Sequence, residues 1–362
     1  MQVKKLFHTQ TGDPACRCNA FPGAVQLPDG SLLLMCVAGD EFESSDHHLV
    51  QLRSYDLGRS WSLDGDVYDH GKLSFDFPFT DSAKPTLLSN GNLIAAGYGF
   101  VRDQPEMGLS GYAEKFGHFP ECKNFILRSC DNGKSWSMPD FFTHKYIGME
   151  ISGPVLQLQN GELMFFASPF GLQADEQIAL AFSGGKSGED FQELSCFYQQ
   201  SGIAAWEVRS CQLASGRIVL VIWAYDLKNQ RHLNNHLVYS DDNGRSWSQP
   251  IDSNLPGQAA NLLADDDRLL LLQTRREGEN CGLYLHEIDL SASGELQIKD
   301  SLCVMNSDNL ASACGNIEKQ FCSLKFGQPS LLKLANGSYL LCYWQAFNDI
   351  YRIQIQGLEI TF

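Results

Sequence analysis

The sequence predicts an all-β chain, a six-bladed β-propeller, from two repeats that are independent of each other. The first is Ser-x-Asp-x-Gly-x-Ser-Trp, written three times without a lapse, at Ser54–Trp61, Ser129–Trp136 and Ser240–Trp247. Five fixed positions recurring three times lie far beyond chance, and self-similarity of this kind outranks any local signal for a fold. The second is a weaker unit: a short apolar strand, a polar turn that mostly ends in Gly, and a second apolar strand. Its turns fall at positions 30, 91, 161, 216, 267 and 337, which are 61, 70, 55, 51 and 70 residues apart. That spacing suits one four-stranded blade each, with loops of variable length.

The blades follow in chain order. Phe21-Pro22 to Gly30-Ser31-Leu32 opens blade 1, Lys84-Pro85 to Gly91-Asn92-Leu93 blade 2, and Gly153-Pro154 to Gly161-Glu162-Leu163 blade 3. Trp206-Glu207 to Gly216-Arg217-Ile218 opens blade 4, Gln258 to Asp267-Arg268-Leu269 blade 5, and Gln328-Pro329 to Gly337-Ser338-Tyr339 blade 6. Leu32-Leu33-Leu34, Leu163-Met164-Phe165-Phe166 and Leu269–Leu272 are apolar on both faces, as strands sandwiched between neighbouring blades should be. Tyr351–Gln356 alternates, like an outer strand. No amphipathic helical stretch is evident. Perfect boxes mark blades 1, 2 and 4; Ser183–Phe191 is a degraded copy in blade 3, and Ser291-Ala292-Ser293-Gly294 is all that blade 5 retains. An N-terminal strand near Val3–Phe7 is expected to pair with the last blade around Gly357–Phe362, removing an exposed edge. Residues 1–362 read as a single propeller domain, because each blade needs its neighbours to bury its faces.

Composition narrows the partners. A net charge of −16 with no compensating basic stretch disfavours nucleic acid and anionic membranes. No apolar run approaches membrane-spanning length. Lys4-Lys5 is followed only by Leu6-Phe7 before polar residues, so no signal peptide is expected and a cytoplasmic location is. Of the twelve cysteines, Cys36, Cys211 and Cys342 fall in expected strands, as ordinary core residues do. Cys16-Arg17-Cys18 and Cys314…Cys322 lack the usual zinc spacing. Free thiols are therefore the first reading, ahead of disulfides or a metal, and no cofactor is expected.

Each Ser-x-Asp-x-Gly-x-Ser-Trp copy has the chemistry of a stapled hairpin turn. Asp and Ser bond nearby backbone amides, Gly permits positive φ, and Trp anchors the turn on a core. This is the Asp-box, and the chain resembles the sialidase (neuraminidase) superfamily of six-bladed propellers. Asp-boxes lie on outer turns and are assigned no catalytic role. The resemblance implies a site at the mouth of the propeller channel: three arginines on a carboxylate, a Tyr–Glu pair supplying the nucleophile, and an Asp as acid/base.

Only part of that pattern is present. Glu207 stands nine residues before Gly216, where the family's Glu stands before its turn glycine. A buried carboxylate costs several kcal/mol unless it is partnered, so function competes with a structural pairing, for instance to Arg209. Asp46 holds the acid/base place within Gly39–His48, with Asp40 and Glu43 as rivals and His47 and His48 as bystanders. Ala20 replaces the first arginine, and Arg17, three residues earlier, is a candidate substitute. The second arginine's place reads Trp223-Ala224-Tyr225-Asp226. Arg275-Arg276, ending the hairpin of blade 5, offers a cation for the channel mouth. Gln328 occupies the tyrosine's place, and Tyr225 is the residue another blade could supply instead.

Three functions fit. The first is a sialidase-like glycoside hydrolase for an acidic or otherwise atypical sugar, with Asp46 and Glu207 as its carboxyl pair. Arg275 or Arg276 and Lys84 would bind the sugar, and the aromatic-rich insertion Val101–Lys123 (Tyr112, Phe116, Phe119) would stack on it or cap the pocket. The alternatives are a non-hydrolytic propeller that binds a glycan or a protein, and a lyase or isomerase of acidic sugars.

Overall fold

Antiparallel sheets form wherever the sequence places two apolar runs around a polar turn, and the described residues form six of them. The structure, a computed structural model, describes residues 1–171, 177–266, 268–291, 293–306 and 323–362. The turn at Asp267, the residue Ala292 and the pair Cys314 and Cys322 lie outside the described residues.

Blade 1 contains strands Cys18–Gln26, Leu32–Gly39, His48–Ser54 and Ser62–Asp66, paired in chain order. Blade 2 contains Phe79–Leu87, Leu93–Val101, Cys122–Ser129 and Asp140–Phe142. In blade 3 the first strand is broken into Met149–Glu150 and Leu156–Gln157, followed by Leu163–Pro169, Ala179–Ser183 and Gln192–Tyr198. Blade 4 runs through Ile203–Gln212, Ile218–Asp226, Asn234–Ser240 and Ile251–Pro256, with the short strand Arg231–His232 added. Blade 5 is Ala260–Asp265, Arg268–Arg275, Gly282–Leu290 and Leu296–Asn306. Blade 6 joins Phe326–Lys333, Tyr339–Phe347 and Ile350–Thr361 to Gln2–Thr11, so the first strand of the chain completes the last sheet. Gly357 makes room for that strand, since a Cβ there would lie 2.1 Å from Phe7.

The predicted hairpins share one geometry. Gly30, Gly91, Gly161, Gly216 and Gly337 have φ of 85, 86, 87, 90 and 84°. Each donates its N–H to the carbonyl three residues back, at 2.8–2.9 Å for Leu27, Leu88, Leu158, Leu213 and Leu334. This is a type I turn closed by a left-handed residue, where glycine avoids the Cβ penalty. In blade 5 Asp266 takes the left-handed position with φ 53°.

The Asp-boxes are stapled as their residue types require. In the first, Ser54 Oγ accepts the Gly58 N–H at 2.9 Å, and Asp56 takes the Ser60 N–H at 2.9 Å and its hydroxyl at 2.6 Å. The second and third repeat this within 0.1 Å, with Gly133 N–H to Ser129 at 3.0 Å and Gly244 N–H to Ser240 at 2.8 Å. The box glycines also meet a crowded core, because a Cβ on Gly133 would lie 2.3 Å from Leu33 and one on Gly244 2.5 Å from Met164.

Contacts group blades 3, 4 and 5, with Met1–Val3 and Ile360–Phe362, into one compact unit, and the rest of blades 6, 1 and 2 into another. Within the first unit, Met164, Phe166, Leu220 and Ile222 pack between blades 3 and 4, and Val219, Val221, Leu269 and Leu271 between blades 4 and 5. Within the second, Leu34, Cys36, Leu340 and Trp344 pack between blades 1 and 6, and Leu33, Met35, Leu93 and Phe125 between blades 1 and 2. Successive residues of one strand thus serve two cores, which is why these runs are apolar on both faces.

One expectation is overturned and another completed. A helix, Leu109–Phe116, sits in the insertion of blade 2, although no helical stretch was expected. At eight residues it is too short to show a period, and it depends on Gly117 (φ 73°), whose N–H caps Ala113. The insertion packs on itself, with Tyr112 buried and 4.5 Å from Phe116, and is tied down by Arg102. That buried guanidinium donates to the carbonyls of Glu43, Ser44 and Met107. Among the described residues, none of the ten cysteines is in a disulfide. Cys36, Cys211 and Cys342 are buried, and burial raises their thiol pKa values, that of Cys211 to about 12.

Candidate functional site

Blade 4 begins with a register that holds from Ile203 to Trp206, opposite Asp226 to Trp223, and then slips by one residue before Arg209 meets Val221. The slip is a β-bulge at Glu207-Val208, and Glu207 is left-handed, with φ 48°. Blade 1 has the same slip between Ala20 and Gly23, with Phe21 at φ 58°. Blade 6 has it between Gly327 and Ser330, with Gln328 at φ 42°. Bulges re-aim a side chain, and a left-handed non-glycine residue stores roughly 1–3 kcal/mol of strain that the surrounding structure must hold. Glu207 and Gln328 are therefore the same structural position in two blades.

Around Glu207 the first unit assembles charge and aromatic surface. The carboxylate is 11% exposed, and the Arg209 guanidinium approaches Oε2 at 4.0 Å. Arg209 is held by Ser152 Oγ at 2.8 Å and the Val208 carbonyl at 3.1 Å. The Glu207 N–H donates to Glu150 Oε2 at 3.2 Å. Arg276 is buried and donates to Gln258 Oε1 at 2.8 Å, its guanidinium 5.5 Å from the Trp223 ring centre. Burial pushes its pKa down to about 10, opposed by the charge of Glu207. Arg275, the last residue of its strand, is only half-buried. Partly exposed Trp206 stacks on buried Tyr225 at 4.9 Å and 22°, and meets Trp223 edge-on at 5.4 Å. Trp223 Nε1 donates to His232 Nδ1 at 2.9 Å, which leaves the His232 Nε2 proton toward Glu277, 3.7 Å away. Desolvation raises the Glu277 pKa.

In the second unit, Asp46 lies on an exposed loop. It accepts the Ser44 hydroxyl and the Asp40 N–H, the latter at 2.9 Å. Partial burial would raise its pKa, but these two bonds outweigh it and hold the carboxyl below its ordinary range. Glu43, its rival, is occupied structurally, accepting the Ser110 N–H at 3.0 Å and hydroxyl at 2.8 Å. His47 is buried against the Glu41 carbonyl at 2.7 Å, and burial lowers its pKa to about 4. Asp46 and His48 line a cavity of about 440 Å³ together with Asp66, His70, Phe75 and Phe77. Buried Asp81 anchors its wall, accepting the Leu49 N–H at 3.0 Å, the Tyr68 hydroxyl and His70 Nε2 at 3.2 Å. Burial works against protonation of His70, and the Asp81 bond reverses this, raising its pKa.

The remaining expected residues separate. Lys84 and Gln328 are both buried and joined, Nζ to Oε1 at 3.2 Å. Ala20 is fully buried in its strand, whereas Arg17 is exposed and contributes its carbonyl, to the Tyr351 N–H at 2.8 Å and Arg352 at 3.1 Å. Sequence reasoning missed Trp206, Gln258, His232 and Glu277, which come together only through strand pairing. The donor atoms of Asp13, Cys16 and His48, one from each, also lie within 4.8 Å of one another.

The BNR/Asp-box repeat family matches residues 238–249, the third box. A protein of unknown function from Dyadobacter fermentans is similar in structure, with a TM-score of 0.78, 17% identity, and 99% of each chain covered. The NanB sialidase of Streptococcus pneumoniae follows at a TM-score of 0.66 and 12% identity, over 98% of this chain and 70% of that one. The sialidase of Trypanosoma rangeli has a TM-score of 0.63 at 13% identity, over 94% of this chain and 55% of that one.

The fold is that of the sialidase propellers.

The chain spans about half the length of the Trypanosoma sialidase. Among curated proteins, no sequence matches it. The sialidase-type fold is thus shared, and this chain carries an Asp-box repeat on it. It has Glu207 in blade 4, Gln328 in blade 6 and Phe21 in blade 1.

Proposed function

We propose that the chain is a sialidase-like glycoside hydrolase that acts on an acidic or otherwise atypical sugar, with Glu207 as its central carboxylate. The observation that supports this most strongly is the bulge at Glu207, a strained backbone that holds an acid 4.0 Å from Arg209, next in sequence to Trp206 and its contacts with Trp223 and Tyr225. Trp206 offers an aromatic face to a sugar ring, and buried Arg276 adds positive charge where an acidic substituent would bind. With Gln328 in the tyrosine's place, Glu207 itself serves as nucleophile or as stabiliser of the oxocarbenium-like transition state. Arg275 and Lys84 belong to recognition rather than to bond cleavage.

The test is hydrolysis of an aryl-glycoside panel, sialosides and uronides included, by wild type, Glu207→Gln and Asp46→Asn. Loss of turnover in Glu207→Gln is expected; equal turnover removes Glu207 from the mechanism. Loss of turnover in Asp46→Asn as well would give that acid a part in the reaction.

A second reading, a glycan-binding propeller without hydrolysis, is favoured by the Lys84–Gln328 bond, which fills the nucleophile's position with an amide. Tight binding by calorimetry with no product formed would support it over the first.

A further inference from the structure

We propose that Asp13, Cys16 and His48 form a divalent-cation site of zinc type. One donor atom from each lies within 4.8 Å of the others. Ligands around a tetrahedral zinc, at 2.0–2.3 Å from the metal, stand about 3.3–3.8 Å apart, so small rotations of these partly exposed side chains would close the site. Thiolate, imidazole and carboxylate together suit zinc better than calcium or magnesium, which take oxygen ligands.

Two further observations point to a cation. His48 Nδ1 is 2.8 Å from the Asp46 carbonyl. A carbonyl only accepts, so Nδ1 carries a proton and Nε2 is the ring atom left for a metal. Nε2 faces Asp66 Oδ1 at 3.6 Å, a further carboxylate beside it. A bond from the ring's other N–H to a backbone carbonyl is also how metal-binding imidazoles are commonly oriented. Second, the carboxylates of Asp13, Asp46 and Asp40 all act on the Cys16 sulfur, with Arg352 opposing them. The Arg352 guanidinium is itself engaged by the carbonyls of Cys16, Arg17 and Tyr351. A dication replaces the thiol proton, which goes to solvent, and neutralises the carboxylates. Such a site would tie the entry to blade 1 to the loop that carries Asp46.

The full chain, stripped of metal, is titrated with cobalt(II) and then zinc(II). The expected result is a thiolate-to-cobalt charge-transfer band that zinc abolishes, and thermal unfolding at higher temperature with zinc present. Cys16→Ser loses both effects, and His48→Gln or Asp13→Asn weakens binding by at least about 10-fold. A variant with the exposed Cys130, Cys196 and Cys303 all changed to Ser keeps them. No band in the wild type, or a band retained in Cys16→Ser, overturns the proposal. Because binding is read by spectrum and stability, the metal site stands or falls separately from the hydrolase reading.

Discussion

Glu207 is an acid held in a conformation that most residues avoid, beside the buried Arg209 guanidinium. Glu207→Gln keeps the shape and the backbone, so its stability by chemical denaturation should stay within about 0.5 kcal/mol of wild type while catalysis or binding is lost. A large stability loss would make the residue structural. The box aspartates are the opposite case, where structure explains everything. Asp131 is held at a pKa of about 2 by Ser135. Asp242 reaches about 2 because bonds from Ser246 and Ser240 overcome its partial burial. Both lie below the ordinary aspartate value of 3.8 that the unfolded chain would show. Their contribution is therefore full above that value and is lost as pH falls toward about 2. Acid unfolding of Asp131→Asn and Asp242→Asn should show a weaker pH dependence in that window; an unchanged curve would refute the assignment. Glu207 was legible because its distance to a turn glycine is a local fact. Trp206, Gln258 and the Asp13–Cys16–His48 group were not, since pairing across strands and loops sets their neighbours.

Hairpins and boxes both rest on glycine, for different reasons, and a pair of substitutions separates them. Gly30 has φ 85° and open space where a Cβ would point, so Gly30→Ala should cost about 1 kcal/mol of left-handed strain. Gly244 adds a collision at 2.5 Å with Met164, so Gly244→Ala should cost about 2–3 kcal/mol. Urea denaturation gives both values, and equal costs would mean that the box glycine serves only its turn. At this scale the sequence was most informative, because turn chemistry and apolar runs are written in consecutive residues. The helix Leu109–Phe116 escaped notice because two turns carry too little periodicity, and its position depends on the remote anchors Arg102 and Glu43.

For the whole molecule, Gln2–Thr11 covers the edge of Ile350–Thr361, and Phe7 seats on Gly357. Deleting residues 2–11 should lower the unfolding temperature and cause self-association through the bared strand, visible by size-exclusion chromatography; a stable monomer would show that this strand is dispensable. Six blades were legible from the spacing of turns, whereas the chemistry was not. A shared fold leaves function to the residues placed on it, and Ala20 and Gln328 depart from the pattern that the sialidase resemblance implies. The most direct measurement is the glycoside panel with wild type and Glu207→Gln, read together for product release and for sugar binding. Wild type should cleave or tightly bind at least one acidic sugar, and Glu207→Gln should do so at least about 100-fold less well. Indistinguishable behaviour of the two proteins on every sugar would contradict a functional Glu207.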